Sequence, residues 1–120
     1  MTHHEILFPE NVKISVKGKA VTIKPVLLSD FERFGKASTA AISMAASQST
    51  LEIYQNAKKA GIIGVILGSC TSMSRWGISR LPAAVAVELM FEVIRVNKDF
   101  FEQALVSAAT VLAGAELSSN

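Results

Sequence analysis

The sequence predicts a mainly helical α+β fold, in which a two-stranded antiparallel β-hairpin precedes a bundle of about four or five α-helices. Apolar residues alternate at every second position over residues 11–26, which is the period of a half-buried strand. Over residues 29–114 they recur at three- and four-residue spacing, which is typical of helices packed on one side. The chain has 120 residues, and we therefore expect a single domain over residues 11–114.

The two ends of the chain are expected to lie outside this domain. Residues 1–10 show no periodicity and are predicted to form a flexible arm, in which Ile6–Phe8 could dock elsewhere. Gly114 is a typical helix stop, and residues 115–120 are predicted to be a frayed tail.

The register of the hairpin is predicted from its turn. Gly18 and Lys19 are expected to form a two-residue loop, because glycine suits the first position of a type II′ turn. Val16 then pairs with Val21, and both strands present their apolar side chains to one face.

The opposite face of the hairpin is basic. It carries Lys13, Lys17 and Lys24, and the predicted register places Lys13 across from Lys24. Such a like-charge pair is tolerated in water or against an acidic partner. We interpret this face as solvated, and we keep its three lysines as candidates for binding a partner.

Capping boxes mark the predicted starts of the first two helices. Ser29 with Glu32 forms the first box, and Ser49 with Glu52 forms the second. The Ala/Ser-rich residues 37–49 lie between them and are only weakly periodic, so they form either a rigid helix or a hinge.

Residues 60–73 are apolar nearly all round and predict the central, most buried helix. Gly64 and Gly68 lie four residues apart on it, a spacing at which small residues let a crossing helix approach closely. Cys70 lies among apolar neighbours and is expected to be a small core residue rather than a reactive thiol.

The last part of the domain is predicted to be two helices that meet at Asn97. Asn97 is a good N-cap, and Asp99 would favour the positive end of the helix that follows. Phe101 begins an apolar stripe that we expect to be buried, continuing through Leu105, Ala108 and Leu112. Phe100 lies off that stripe and is the first candidate for an exposed anchor.

The composition favours a protein that binds other proteins. Half of the residues are hydrophobic and only 18% are charged, with a mean hydropathy of +0.38. This indicates apolar surface that a partner or a second copy covers. The net charge of +2 is small for nucleic-acid binding. The longest apolar stretch is too short for a membrane span, and one cysteine fits the reducing cytoplasm.

The reactive side chains do not predict an enzyme, a metal site or a cofactor. His3 and His4 lie in the predicted arm without further ligands at a suitable spacing. Glu88 and Glu92 share a helix face, but Arg95 follows within one turn and indicates a solvated ion-pair stripe. There is no glycine-rich phosphate loop.

Trp76 is flanked by basic residues, which allows two interpretations. The indole could stack on a base while Arg75 and Arg80 contact phosphates. More often, a tryptophan at a helix junction fills the core while nearby arginines stay solvated. We favour the second interpretation and keep Trp76 as a candidate for partner binding.

Three segments together resemble the tail assembly chaperones of long-tailed phages and prophages. They are the hairpin and helix start over residues 12–34, the connection WGISRLP that begins at Trp76, and the sequence VNKDFF at residues 96–101. The resemblance covers roughly residues 12–105.

The resemblance implies a cytoplasmic protein of the infected host that binds the tape measure protein and keeps it soluble before the tail tube forms. The tail tube protein is a second expected partner, and self-association is also expected. Two alternatives remain: a structural adaptor retained in a tail or similar particle, and a small nucleic-acid-binding regulator.

Overall fold

The chain folds into a β-hairpin followed by helices, which confirms the predicted class. The computed structural model describes residues 10–16, 18–47 and 49–118. Strands β1 (Val12–Val16) and β2 (Lys19–Ile23) form the antiparallel hairpin. A 3-10 turn over Leu28–Asp30 leads into the helices. These are α1 (Phe31–Ser47), α2 (Thr50–Lys59), α3 (Ile62–Cys70), α4 (Arg75–Ser79) and α5 (Ala83–Ser118). The predicted arm up to residue 9, including Ile6–Phe8, lies outside the described residues.

The predicted hairpin register is wrong by two residues. Val16 lies opposite Lys19, and Ile14 lies opposite Val21. Gly18 is in the connecting loop with a φ of 76°, a conformation that glycine adopts without strain. Because the shift is by an even number of residues, the apolar side chains still face the core as predicted.

Backbone bonds attach β2 to the end of α3. The N–H of Lys24 donates to the carbonyl of Cys70 at 2.7 Å, and the N–H of Ser72 donates to the carbonyl of Thr22 at 3.0 Å. The hydroxyl of Ser72 accepts a further bond from the N–H of Thr22 at 3.1 Å. The outer edge of β2 is therefore covered by its own chain.

Helix α3 occupies the centre, as predicted. It packs against the other four helices, and its Ile66 and Leu67 side chains are fully buried. Cys70 is also fully buried, which confirms the expected core position. Ile23 from β2 and Val93 from α5 complete this core.

Of the two predicted capping boxes, the one at Ser49 forms its serine cap. The Ser49 hydroxyl caps α2 by accepting from the N–H of Glu52 at 3.4 Å. The box at Ser29 is wrong, because the 3-10 turn already begins at Leu28 and its preceding residue makes no side-chain cap. Glu32 instead pairs with Lys36 at 3.2 Å. Helix α1 runs unbroken to Ser47, so residues 37–47 are helical.

The predicted break at Asn97 is wrong, since α5 is one helix of 36 residues. At 1.5 Å per residue it is about 54 Å long, which accounts for most of the 58 Å long dimension of the molecule. The helix also passes through Gly114, so the predicted stop at this residue is wrong. No helix in the described part of the chain is long and apolar enough to cross a membrane.

Candidate protein-binding surface

The apolar stripe that the sequence predicts on α5 is exposed rather than buried. Each residue from 101 to 114 is solvent-exposed. The stripe is uncovered because α5 continues past the helices that would pack on it. The large apolar side chains of residues 101–114 are Leu105 at 70%, Val106 at 67%, Leu112 at 64%, and Phe101 and Val111 at 41% exposure.

The roles predicted for the two adjacent phenylalanines are reversed. Phe100 is half-buried and packs against the core, whereas Phe101 is 41% exposed. In an uninterrupted helix Phe100 follows Val93 by seven residues and Val96 by four, and both of those valines are buried. Its side chain therefore falls on the core-facing side.

A groove joins the exposed stripe to the segment that follows the hairpin. It has a volume of about 800 Å³. It lies between residues 24–28 and the middle of α5. The apolar side chains that line it are Pro25, Val26, Leu27, Leu28, Phe100, Phe101 and Ala104. Charged Glu10 and Lys24 line the same groove.

The groove and the stripe form one continuous apolar surface, which we call the apolar strip. Leu27 is 63% exposed and Leu28 is 91% exposed. The ring of Phe31 meets that of Phe101 edge to face, with centroids 5.4 Å apart. The strip consists of Leu27, Leu28, Phe31, Phe101, Leu105 and Leu112. Soluble monomers rarely expose this much contiguous apolar surface without a use for it.

Asn97 holds one wall of the groove in place. It is 1% exposed, and its side-chain oxygen accepts a hydrogen bond from the N–H of Val26 at 2.8 Å. Its amide nitrogen donates to the carbonyls of Lys24 at 3.3 Å and Val93 at 3.2 Å. The predicted capping role is therefore wrong, and the side chain instead fixes the loop that carries Leu27 and Leu28.

The sequence pattern alone does not predict that Leu27, Leu28 and Phe31 belong to a binding surface. One signal was available, because Val26–Leu28 places three apolar residues in the connection between strand and helix. Connections of this kind are usually polar. A run of apolar residues there indicates either burial or a binding surface.

The basic face of the hairpin is only partly as predicted. Lys13 is exposed, but it lies opposite Thr22 rather than Lys24. Lys24 follows the end of β2 and lines the groove. The predicted like-charge pair is therefore wrong, because the register shift moves Lys24 beyond the ladder. Lys17 lies outside the described residues.

Asp99 does not lie at a helix start, because α5 continues through it. It instead accepts a hydrogen bond from Arg95 at 3.2 Å, and Arg95 also pairs with Glu92. The hydrogen bond from Arg95 lowers the pKa of Glu92 below its usual value. This exposed ion-pair stripe is the arrangement that the i, i+3 and i+4 spacing predicts.

The favoured interpretation of Trp76 is wrong. Its side chain is 68% exposed rather than plugged into the core. The guanidinium carbon of Arg80 lies over the indole, 4.5 Å from the ring centroid, in a cation–π contact. Trp76 belongs to the short helix α4 and does not line the groove beside α5.

The glycines of α3 do not bring a helix close. Gly64 and Gly68 are exposed, and a Cβ added at either position would meet nothing within 4 Å. The predicted close approach is therefore wrong. The buried side of α3 is formed instead by Ile62, Ile66, Leu67 and Cys70.

Burial makes Cys70 inert in the folded protein. Desolvation raises the pKa of its thiol from 9.0 to about 12. We expect no labelling by a thiol-reactive dye at pH 8 in the native state and complete labelling after unfolding. Since only the unfolded thiol ionises between pH 9 and 12, stability should fall as the pH rises through that range. Rapid native-state labelling would contradict the burial of this side chain.

No group of three metal-ligating side chains occurs among the described residues. The comparisons with known proteins leave the family open: no family model matches the sequence, and neither curated proteins nor solved structures give a significant match.

Proposed function

We propose that the protein is a tail assembly chaperone, which binds the tape measure protein of a long-tailed phage or prophage and keeps it soluble until the tail tube forms. The observation that carries the proposal is the apolar strip. It combines a preformed groove beside Asn97 with a helix face that extends beyond the bundle.

The strip has the chemistry that a long amphipathic partner helix requires. Such a helix binds by laying its apolar face into a groove, with contacts at three- and four-residue spacing. Phe101, Leu105 and Leu112 present apolar side chains at that spacing on one face of α5. Residues 103–115 contain no charged side chain. No charged group of this segment therefore loses its hydration when a partner binds there.

Co-expression with the tape measure protein encoded in the same genome tests the proposal. We expect this chain to move that protein from the insoluble to the soluble fraction and to co-purify with it. The matched control is the same tape measure protein expressed alone. If its solubility does not change in the presence of this chain, the chaperone proposal is wrong.

The presence or absence of this protein in the finished particle distinguishes the structural-adaptor hypothesis from the chaperone hypothesis. An adaptor keeps its contacts and remains in purified tails, whereas a chaperone leaves when the tube forms. Immunodetection in purified particles distinguishes the two outcomes, because only an adaptor would be present in a fixed ratio to the tube protein.

One observation favours the nucleic-acid-binding alternative, namely the exposed indole of Trp76 with Arg80 over its ring. Exposed aromatic and basic side chains together bind single strands by stacking and by contact with phosphate. This alternative requires salt-sensitive binding of an oligonucleotide that Trp76→Ala abolishes. No binding at low salt would exclude it.

A further inference from the structure

The outer edge of β1 offers backbone groups that nothing in the described chain uses. Thr22 directs its N–H and C=O away from β1, towards Ser72. Lys13 lies directly opposite Thr22. In an antiparallel ladder, opposite residues either bond to each other or both direct their N–H and C=O groups outwards. Since Thr22 directs its groups outwards, the N–H and C=O of Lys13 point away from β2. Ser15 lies two residues along the strand and does the same. Among the described residues, none of the backbone bonds outside the hairpin and the helices involves a residue of β1.

A cleft opens beside this edge. It has a volume of about 340 Å³ and is lined by β1 and the first half of α5, without any contribution from β2. Its lining residues are Ile14, Ser15, Val16, Val85, Glu88, Leu89 and Glu92. The floor is thus apolar, and two carboxylates stand at its α5 side.

The two carboxylates differ in what they already bind. Glu92 pairs with Arg95 on its own helix. Glu88 is exposed and takes part in none of the ion pairs formed by the described residues. The cleft therefore has one carboxylate free to receive a basic side chain.

We propose that the free edge of β1 binds an extended segment of a partner protein, which adds a third strand to the hairpin. Main-chain hydrogen bonds to Lys13 and Ser15 hold the segment, as in other cases of strand addition. Its alternate side chains enter the cleft, where apolar ones contact Ile14 and Leu89 and a basic one pairs with Glu88. This site is separate from the apolar strip and does not depend on the proposed function.

The unpaired backbone groups of β1 favour an extended partner segment over a helical one. A helix satisfies its own N–H and C=O groups and leaves those of Lys13 and Ser15 without partners. A strand at the usual spacing of about 4.8 Å satisfies them and projects every second side chain towards α5. The free carboxylate then favours a basic residue over an acidic one at the position that faces it.

The test uses the full chain labelled with ¹⁵N and a synthetic probe, the acetylated and amidated peptide Thr-Val-Thr-Lys-Thr-Val-Thr. This peptide presents valine, lysine and valine on one face. We expect the amide signals of Lys13 and Ser15 to shift on titration and their hydrogen exchange to slow. The matched peptide with glutamate in place of lysine should bind several-fold more weakly, and Glu88→Gln should remove that difference. Glu102→Gln, on the same helix outside the cleft, should preserve it.

Removing one backbone donor from the edge should weaken strand addition without breaking the hairpin ladder. Ser15→Pro removes an N–H that faces away from β2, and loss of one such bond should weaken peptide binding about tenfold. Ser15→Thr keeps the N–H and should bind as the wild type does. Ser15→Pro could also weaken binding by distorting the hairpin. The wild-type chain is therefore also titrated with a lysine peptide that is N-methylated along one edge. This peptide should bind to the wild type as weakly as the unmodified peptide binds to Ser15→Pro.

Three outcomes would overturn the proposal. The amides of Lys13 and Ser15 could be unaffected by the lysine peptide, or the lysine and glutamate peptides could bind equally well. The third outcome is that these two amides are already protected from exchange in the free chain, which would mean that another part of this chain or a second copy occupies the edge.

Discussion

Asn97→Ala should lower the free energy of unfolding by about 2–4 kcal/mol, because it leaves two backbone groups of the loop without partners. The N–H of Val26 and the carbonyl of Lys24 both bond to this side chain, and each unsatisfied buried group costs about 1–3 kcal/mol. The better helix propensity of alanine returns only a few tenths of a kcal/mol. Thermal unfolding followed by circular dichroism should show the Tm reduced by roughly 10–15 °C.

Lys98→Ala is the matched control for this variant. Lys98 is the next residue on the same helix, and its ion pair with Glu102 at 3.8 Å is exposed on both sides. Exposed pairs of this kind contribute well under 1 kcal/mol, so the Tm should stay close to that of the wild type. Hydrogen exchange at the Val26 amide should accelerate only in Asn97→Ala. Equal Tm values for the two variants would show that Asn97 does not hold the loop.

The parts of the fold that could be predicted are those encoded by local patterns. Period-two alternation predicts the hairpin, and the apolar run around Ile66 predicts the central helix. The register could not be predicted in the same way. A shift of two residues keeps every side chain on its face. The hydrophobic pattern is therefore the same whether Val16 lies opposite Lys19 or opposite Val21.

The errors along α5 have one physical origin. Asparagine is more typical of helix caps and turns than of helix interiors, so the local sequence predicts a helix boundary at Asn97. In the structure its polar groups are satisfied by the loop around Val26, a tertiary contact that the local sequence does not contain. Without the break, the helix keeps its phase and Phe100 rather than Phe101 turns towards the core.

The sequence predicts that the candidate site is apolar, but it does not predict where on the molecule the site is exposed. The spacing of Phe101, Leu105 and Leu112 identifies an apolar face on α5, but a pattern does not show what covers that face. The excess of apolar over charged residues was the more informative signal. It indicated exposed apolar surface somewhere on the molecule, and the structure places that surface at the strip.

Leu105→Ser combined with Leu112→Ser should weaken binding of the tape measure protein by about fiftyfold. Full burial of a leucine side chain is worth about 1.5–3 kcal/mol, and these two are 70% and 64% exposed before binding. Together they should contribute about 2–3 kcal/mol, which corresponds to that loss of affinity. The measurement is the amount of soluble tape measure protein that co-purifies at equal expression.

The strip, rather than general hydrophobicity, is tested by a matched pair of substitutions outside it. Val106→Ser with Val111→Ser introduces the same two residues in place of two exposed branched apolar side chains, each one position along α5 from Leu105 or Leu112. Since all four side chains are exposed, both double variants should unfold with nearly wild-type Tm values. Only the leucine variant should lose the tape measure protein, because only its substitutions lie on the face shared with Phe101. Equal losses in the two variants would mean that binding follows the overall apolar content of α5 and not the strip.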